Sequence, residues 1–222
     1  MNAIPLICFD IETTGLEAGY HEVCQLAAIA YDPITLDPIP KEEGGVFDSL
    51  LKPLHEDRIQ EQAMRTHKIP LEVLRKAPHP KAVWIAFLEY LKQFNPKGQK
   101  RIAPIPCGKN IRKFDLPFIY HLSSLYSPKK DKQIVFNELE QIDLQDLIRH
   151  WFWFDKELDS MSMDRLREFF GMRFDSAHQA LRDVEQTGYM ITHFMKVTRE
   201  LRLKHTVRGE PLLDFKAAFA GV

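Results

Sequence analysis

Five residues of this chain are of types that can do chemistry together: Asp10, Glu12, Asp115, His178 and Asp183. Asp10-Ile11-Glu12 follows Leu6-Ile7-Cys8-Phe9, a run of strand formers, and precedes the turn-like Thr13-Thr14-Gly15. On a strand, residues two apart point to one face, so both carboxylates project together while Ile11 faces the other way. Two such groups at the end of a buried strand repel each other and lose hydration, which a fold tolerates when cations compensate. A ligand set made only of oxygens suits Mg²⁺ or Mn²⁺ rather than zinc. An isolated Asp-x-Glu also fits a solvated surface; the strand-end context sets this one apart.

Asp115 lies where a strand gives way to a helix, after Gly108-Lys109-Asn110. Asn110 is a natural N-cap, which puts Asp115 in or just after the first helical turns, where the dipole alone also favours an acid. Asp183 sits on a helical pattern whose inward stripe is Leu181, Val184, Gly188, Ile191 and Met195, as a boundary residue or one aimed at a site. His178 stands five residues earlier. Five helical residues turn through about 500°, so the two side chains would diverge by roughly 140° if both were helical. To serve one site, His178 must precede the helix or open it, which Asp175-Ser176-Ala177 permits. A histidine there is otherwise structural or solvated.

The elements that must position these groups can be read from periodicity. Ile4–Asp10, Val23–Tyr31 and Val46–Leu51 read as three strands joined by turns in an antiparallel meander. His79–Phe94 places Val83, Phe87, Tyr90, Leu91 and Phe94 at helical spacing. Arg101–Cys107 reads as a buried strand whose Pro104 and Pro106 argue for an edge or an end. A short strand is expected near Ile134–Phe136. Helical patterns follow at about Arg112–Leu125, Asp143–Trp153, Met163–Phe170 and His178–Arg202, so helices cover one mixed sheet. Trp151-Phe152-Trp153 cannot share one helix face; they divide between core packing and an exposed ring able to stack a base.

The 222 residues, 45% hydrophobic and 27% charged, suit one soluble domain with a sizeable core. No apolar run approaches the roughly 18 residues needed to span a bilayer, and no signal-peptide pattern opens the chain, so a cytoplasmic protein is expected. Cys8, Cys24 and Cys107, without CxxC spacing, speak for free thiols. A net charge of −1 hides two basic stretches, one through Lys97, Lys100, Arg101, Lys109, Arg112 and Lys113, the other through Lys196, Arg199, Arg202, Lys204 and Arg208. Either could neutralise phosphates or simply be a solvated face. Without GxxxxGK[ST] or GxGxxG, a phosphate-cradling enzyme class is disfavoured.

Phe9-Asp10-Ile11-Glu12-Thr13-Thr14-Gly15-Leu16 closely resembles the first motif of the DnaQ-like, DEDDh exonucleases. Asn110, Phe114 and Asp115 resemble the second, and His178-Gln179-Ala180-Leu181-Arg182-Asp183 the third. Lys52-Pro53, Ala63 to Ile69, Gln141-Ile142-Asp143 and Leu166 to Gly171 are similar to further family segments. The resemblance spans about residues 4 to 200. It departs at Lys109, where many relatives carry histidine, and at Lys68, which replaces a glycine.

The resemblance implies an α/β, RNase H-like domain over residues 1–204: a mixed five-stranded sheet flanked by helices on both faces, with 205–222 as an appendage. It implies a 3′–5′ exonuclease, DNA favoured, working with two divalent ions, Mg²⁺ or Mn²⁺, and releasing nucleoside 5′-monophosphates. Asp10, Glu12 and Asp183 would hold one ion, with Asp10 bridging to a second that Asp115 supports, and His178 would be the general base. Thr13, Thr14, Gly15, Leu16, His67, Asn110 and Phe114 would meet the 3′ end of the nucleic acid, with single strands expected. The alternatives are a proofreading subunit of a polymerase and a non-catalytic nucleic-acid-binding member. Pro211-Leu212-Leu213-Asp214-Phe215 loosely resembles a clamp-binding peptide, so a DNA polymerase or clamp is a further expected partner beside an ordinary docking segment.

Overall fold

A computed structural model describes residues 4–127, 135–152, 155–172 and 180–208, without side-chain detail at 100 and 201–208. Strands β1 (Leu6–Thr13), β2 (Val23–Tyr31) and β3 (Val46–Leu50) form the expected antiparallel meander. Helices α1 (Glu61–His67), α2 (Leu71–Lys76) and α3 (Pro80–Lys92) follow, then β4 (Ile105–Gly108) and α4 (Asp115–Tyr126). The chain continues through β5 (Ile142–Asp143), α5 (Leu144–Phe152), α6 (Met163–Phe169) and α7 (Ala180–Arg208). The sheet order is β3-β2-β1-β4-β5, with β4 parallel to both β1 and β5.

Period-two alternation divides β1 between two cores. Ile7, Phe9 and Ile11 pack against Trp84 and Phe87 of α3 and Phe118 and Ile119 of α4. Leu6 and Cys8 face the opposite layer, with Leu144 and Ile148 of α5, Leu166 of α6 and Val184 and Ile191 of α7. Helices therefore cover both faces. Each fully buried aliphatic or phenylalanine side chain contributes about 1.5–3 kcal/mol, so β1, lined on both faces, is anchored along its length. Local signals agree: His79 accepts from Lys81 N with Pro80 in the first turn of α3, and Ser162 caps α6 through Arg165 N.

Three expectations are corrected. β4 is shorter than Arg101–Cys107, and it is interior rather than an edge. Pro106 is tolerated because Ile105 N donates toward β1, to Pro5 O at 3.0 Å; position 106 therefore faces the β5 side, where pairing starts only at Cys107. Of the strand expected near Ile134–Phe136, Val135 and Phe136 are described and lie outside any strand. Phe136 stacks on Phe9 at 5.1 Å, so this short apolar run serves ring packing rather than pairing. Asn110 does not cap α4; it is a left-handed turn residue at φ 59, and Phe114 occupies the cap position.

α7 runs unbroken past position 204 to Arg208, and the remainder lies outside the described residues. Its approach to the sheet depends on Gly188, where an added Cβ would lie 2.1 Å from Tyr31 Oη. Cys8, Cys24 and Cys107 are free and buried. Among the described residues, no helix is long and apolar enough to cross a membrane. Gly188→Val should destabilise the fold by about 1–3 kcal/mol through overpacking against the Tyr31 ring. Urea unfolding monitored by circular dichroism checks this; an unchanged midpoint would show that α7 can lift off the sheet freely.

Candidate metal centre

Asp10 and Glu12 share the α7 face of β1 at the strand's last turns of pleat, and the pairing with β2 shifts register between Glu12 and Thr13. Such a bulge re-aims side chains beside a site. Asp183, in the first turn of α7, completes a triad: each residue offers an oxygen, and these oxygens lie within 4.8 Å of one another. Asp115 opens α4 and is 2% exposed. Its Oδ1 accepts from Ile11 N at 3.2 Å, satisfying an amide beyond the last β1–β4 pair, Cys8 with Cys107. Asp115 stands apart from the triad oxygens but close enough to be the leading charge acting against Asp10.

Burial and mutual repulsion push Asp10, Glu12 and Asp115 toward protonation. Asp10 is raised well above its ordinary value, first by desolvation, then by Asp115, Glu12 and Asp183, with Lys109 acting against them. Burial, with the Asp183 charge second, lifts Glu12 to about 7. Burial lifts Asp115 to about 7 too, against the amides of Ile11 and of its own residue. The hard oxygen donors, crowded and largely shielded from water, fit a divalent ion such as Mg²⁺ or Mn²⁺.

Several supporting residues lie in family-like segments of the sequence that gave them no role. Asp143, 7% exposed, accepts from Asn110 N at 2.8 Å and Gln145 N at 3.0 Å, tying the turn before Asp115 to the end of β5. Arg167 of α6 donates to Asp183 Oδ1 at 2.8 Å and also reaches Asp164 and Gln186. An arginine in a helix otherwise expected to be amphipathic leaves no linear signal of its partner. Lys109, a departure from the family pattern, adds a cation near Asp10.

The expected substrate-side residues fall into different surroundings. Thr13 Oγ1 donates to Gly15 O at 2.6 Å, and Thr14 Oγ1 accepts from Glu22 N at 2.9 Å, so both hydroxyls shape the loop. Gly15 packs against the His21 ring, which leaves no room for a side chain. Leu16 projects outward, 77% exposed. His67 is buried at the end of α1: its Nδ1 accepts from Ile69 N at 3.0 Å, leaving Nε2–H for Cys24 Sγ at 3.7 Å. It supports the loop's neighbour, since Gln60 N at the start of α1 donates to Thr14 O. Lys68 takes the left-handed C-cap of α1 at φ 58, a conformation glycine adopts without strain. Phe114 is half-buried against Phe118, ring centroids 5.3 Å apart. His178 lies outside the described residues.

Of the two basic stretches, the second is partly committed: Lys196 pairs with Asp37 at 2.7 Å and Arg199 donates to Ile34 O and Pro33 O. These contacts clasp the β2–β3 connection. In the first stretch, Arg112 pairs with Asp146 at 3.4 Å. Phe152 packs with Phe169, Phe170 and Phe194, while Trp151 is half exposed and Trp153 lies outside the described residues.

Comparison with known proteins agrees with this geometry. The sequence pattern of the RNase_T family, described as exonuclease, matches residues 7–191. The chain is 26% identical over 177 residues to an oligoribonuclease of Vibrio parahaemolyticus, covering 73% of this chain and 88% of that protein. Exonuclease I of E. coli in complex with a dT13 oligonucleotide superposes with a TM-score of 0.69 at 20% identity, covering 91% of this chain and 44% of that one. Exonuclease I of Methylocaldum szegediense gives 0.67 at 20% identity, covering 85% and 40%. This chain thus spans less than half the length of those exonucleases, and at that identity the likeness is one of fold.

The raised acids make the metal-free protein pH-sensitive. Glu12 ionises near its ordinary 4.5 when unfolded and at about 7 when folded. The folded state therefore holds the extra proton across that window, and stability in EDTA falls as pH rises through it. Asp115 acts in the same direction. Thermal denaturation in EDTA should show the decline, and Glu12→Gln should flatten it; a melting temperature that rises with pH over this range would contradict the arrangement.

Proposed function

Because the chain belongs to the RNase_T exonuclease family, we propose that it is a metal-dependent 3′–5′ exonuclease that trims single-stranded nucleic acid to nucleoside 5′-monophosphates. The observation that carries this reading is the triad of Asp10, Glu12 and Asp183, with ligand oxygens within 4.8 Å of one another. Divalent ions held there, two in this reading with Asp10 shared and Asp115 supporting the second, would stabilise the attacking and leaving oxygens of an in-line displacement.

The protein's own groups have distinct tasks. Asp10 and Glu12 are fixed by strand pairing with Ala27 and Gln25, so their spacing does not depend on loop motion. Asp115 is fixed by the Ile11 amide. His178 takes the proton from the attacking water; an imidazole suits this because its unperturbed pKa, roughly 6.5, lies near working pH. That role rests on its place in the third sequence motif. Leu16, at the tip of a loop whose threonine hydroxyls are already engaged, offers apolar surface to the terminal base.

DNA is the favoured substrate of the sequence reading, although the motifs themselves do not separate DNA from RNA. A second reading, RNA oligonucleotides, is favoured by the likeness to an oligoribonuclease over 88% of that protein. Matched 5′-labelled DNA and RNA oligonucleotides, single- and double-stranded, with Mg²⁺, Mn²⁺ or EDTA, rank the substrates. The expected result is a metal-dependent ladder shortening from the 3′ end; no cleavage by folded protein with either ion would overturn the proposal.

Asp10→Asn and Asp183→Asn should each slow hydrolysis more than about a thousandfold, roughly 4 kcal/mol of barrier, with an unchanged circular dichroism spectrum. Near-normal turnover in either refutes the ligand assignment. His178→Ala should lose about 10²–10⁴-fold in kcat while binding Mn²⁺ as the wild type does. An unaltered pH–rate profile in that variant would remove His178 from the mechanism.

A further inference from the structure

Arg167 is 8% exposed, and its guanidinium is held at three points. Nε and Nη2, which share one edge of the group, donate to Gln186 Oε1 and Asp183 Oδ1, three residues apart on one face of α7. Nη1 turns back to Asp164 on its own helix. Gln186 is itself 3% exposed, so the fork has no freedom to swing away from Asp183. If the task were only to join α6 to α7, an apolar side chain of similar volume would serve as well or better, because a buried ion pair carries a desolvation penalty. What the arginine adds is direction: a planar fork fixes the orientation of the carboxylate it meets.

We propose that Arg167 is the positioning residue for Asp183, pinning Oδ1 so that the other carboxylate oxygen is presented to the metal shared with Asp10 and Glu12. The inference rests on the metal-site reading above. A cation this close also repels a metal ion, but Asp164 offsets part of the guanidinium charge. Orientation then outweighs repulsion, and removing the hydrogen-bond partner of a metal-binding carboxylate typically lowers metal affinity 10–100-fold. Arg167 touches no reacting atom, so its effect should appear in metal binding before it appears in turnover.

Isothermal titration with MnCl₂, paired with melting temperatures in EDTA, tests this on the full chain. Arg167→Met should weaken Mn²⁺ binding about 10–100-fold, and Arg167→Lys should fall between it and wild type, since an ammonium restores charge without the fork. Gln186→Leu removes one of the three points that hold the fork but keeps its bond to Asp183. It should weaken Mn²⁺ binding less than Arg167→Met does, and a loss as large as that of Arg167→Met would overturn the assignment of direction to the Asp183 bond. Unchanged or tighter binding in Arg167→Met overturns the proposal, the first marking a purely structural arginine and the second a competitor of the metal. Should that variant fail to fold, Arg167→Lys carries the test, and wild-type affinity there overturns it. Absence of Mn²⁺ binding by the wild type overturns the metal reading itself, a result distinct from a selective failure of Arg167.

Discussion

Like charges held in a half-dry cleft repel one another strongly, and here three carboxylates present oxygens within 4.8 Å of one another while a fourth lies close by. At an effective dielectric of about 20, two such acids ionised together and unpaired would oppose folding by roughly 3–4 kcal/mol. Burial first and the Asp183 charge second lift Glu12 to about 7, and burial lifts Asp115 as far, so protonation relieves both desolvation and repulsion in the metal-free protein. A bound divalent cation relieves the repulsion in a way that leaves the acids ionised. The rest of the structure has to hold the acids together against their own charge until one of these happens.

The holding force is hydrophobic burial on both faces of the sheet. β1 carries the Asp10–Glu12 pair and is also the strand whose other residues, from Leu6 to Ile11, feed both cores. Shifting its register by one residue would turn Asp10 and Glu12 into the aromatic layer around Phe87 and drive Phe9 and Ile11 toward α7 in place of the acids. The remaining acids are brought in by elements that pack on opposite sides of β1: Asp115 by α4 and Asp183 by α7. Small-residue contacts set these approaches, with Gly188 letting α7 sit down on Tyr31.

Positive charge near the centre comes from two sources. Lys109 acts on Asp10 at a distance, and Arg167 grips Asp183 directly. The basic stretch near the end of α7 does something else: Lys196 and Arg199 lock the turn between β2 and β3. A run of bases in a sequence thus divides into charges that bind the chain to itself and charges that face outward, and the division follows from which acceptors the fold brings within reach.

Much of this was legible in the sequence. The strand carrying Asp10 and Glu12, the meander after it, the amphipathic third helix and the three acidic motifs all lie in local patterns, because alternation and helical spacing are properties of neighbouring residues. Family resemblance then joined motifs more than a hundred residues apart. What local pattern could not supply was partnership. Asn110 looked like a helix cap, yet its amide is taken by Asp143 from another strand, and the backbone turns left-handed to allow it. Pro106 looked like an edge marker, yet a strand of two residues beside it leaves an interior position needing no donor. His67 is marked by its motif alone, and only the fold supplies its ring with Cys24 Sγ and the Ile69 amide as partners. The residue types and their spacing determined which chemistry the chain can attempt; tertiary packing decided which hydrogen bonds each polar group keeps, because those partners come from segments whose proximity no local periodicity encodes.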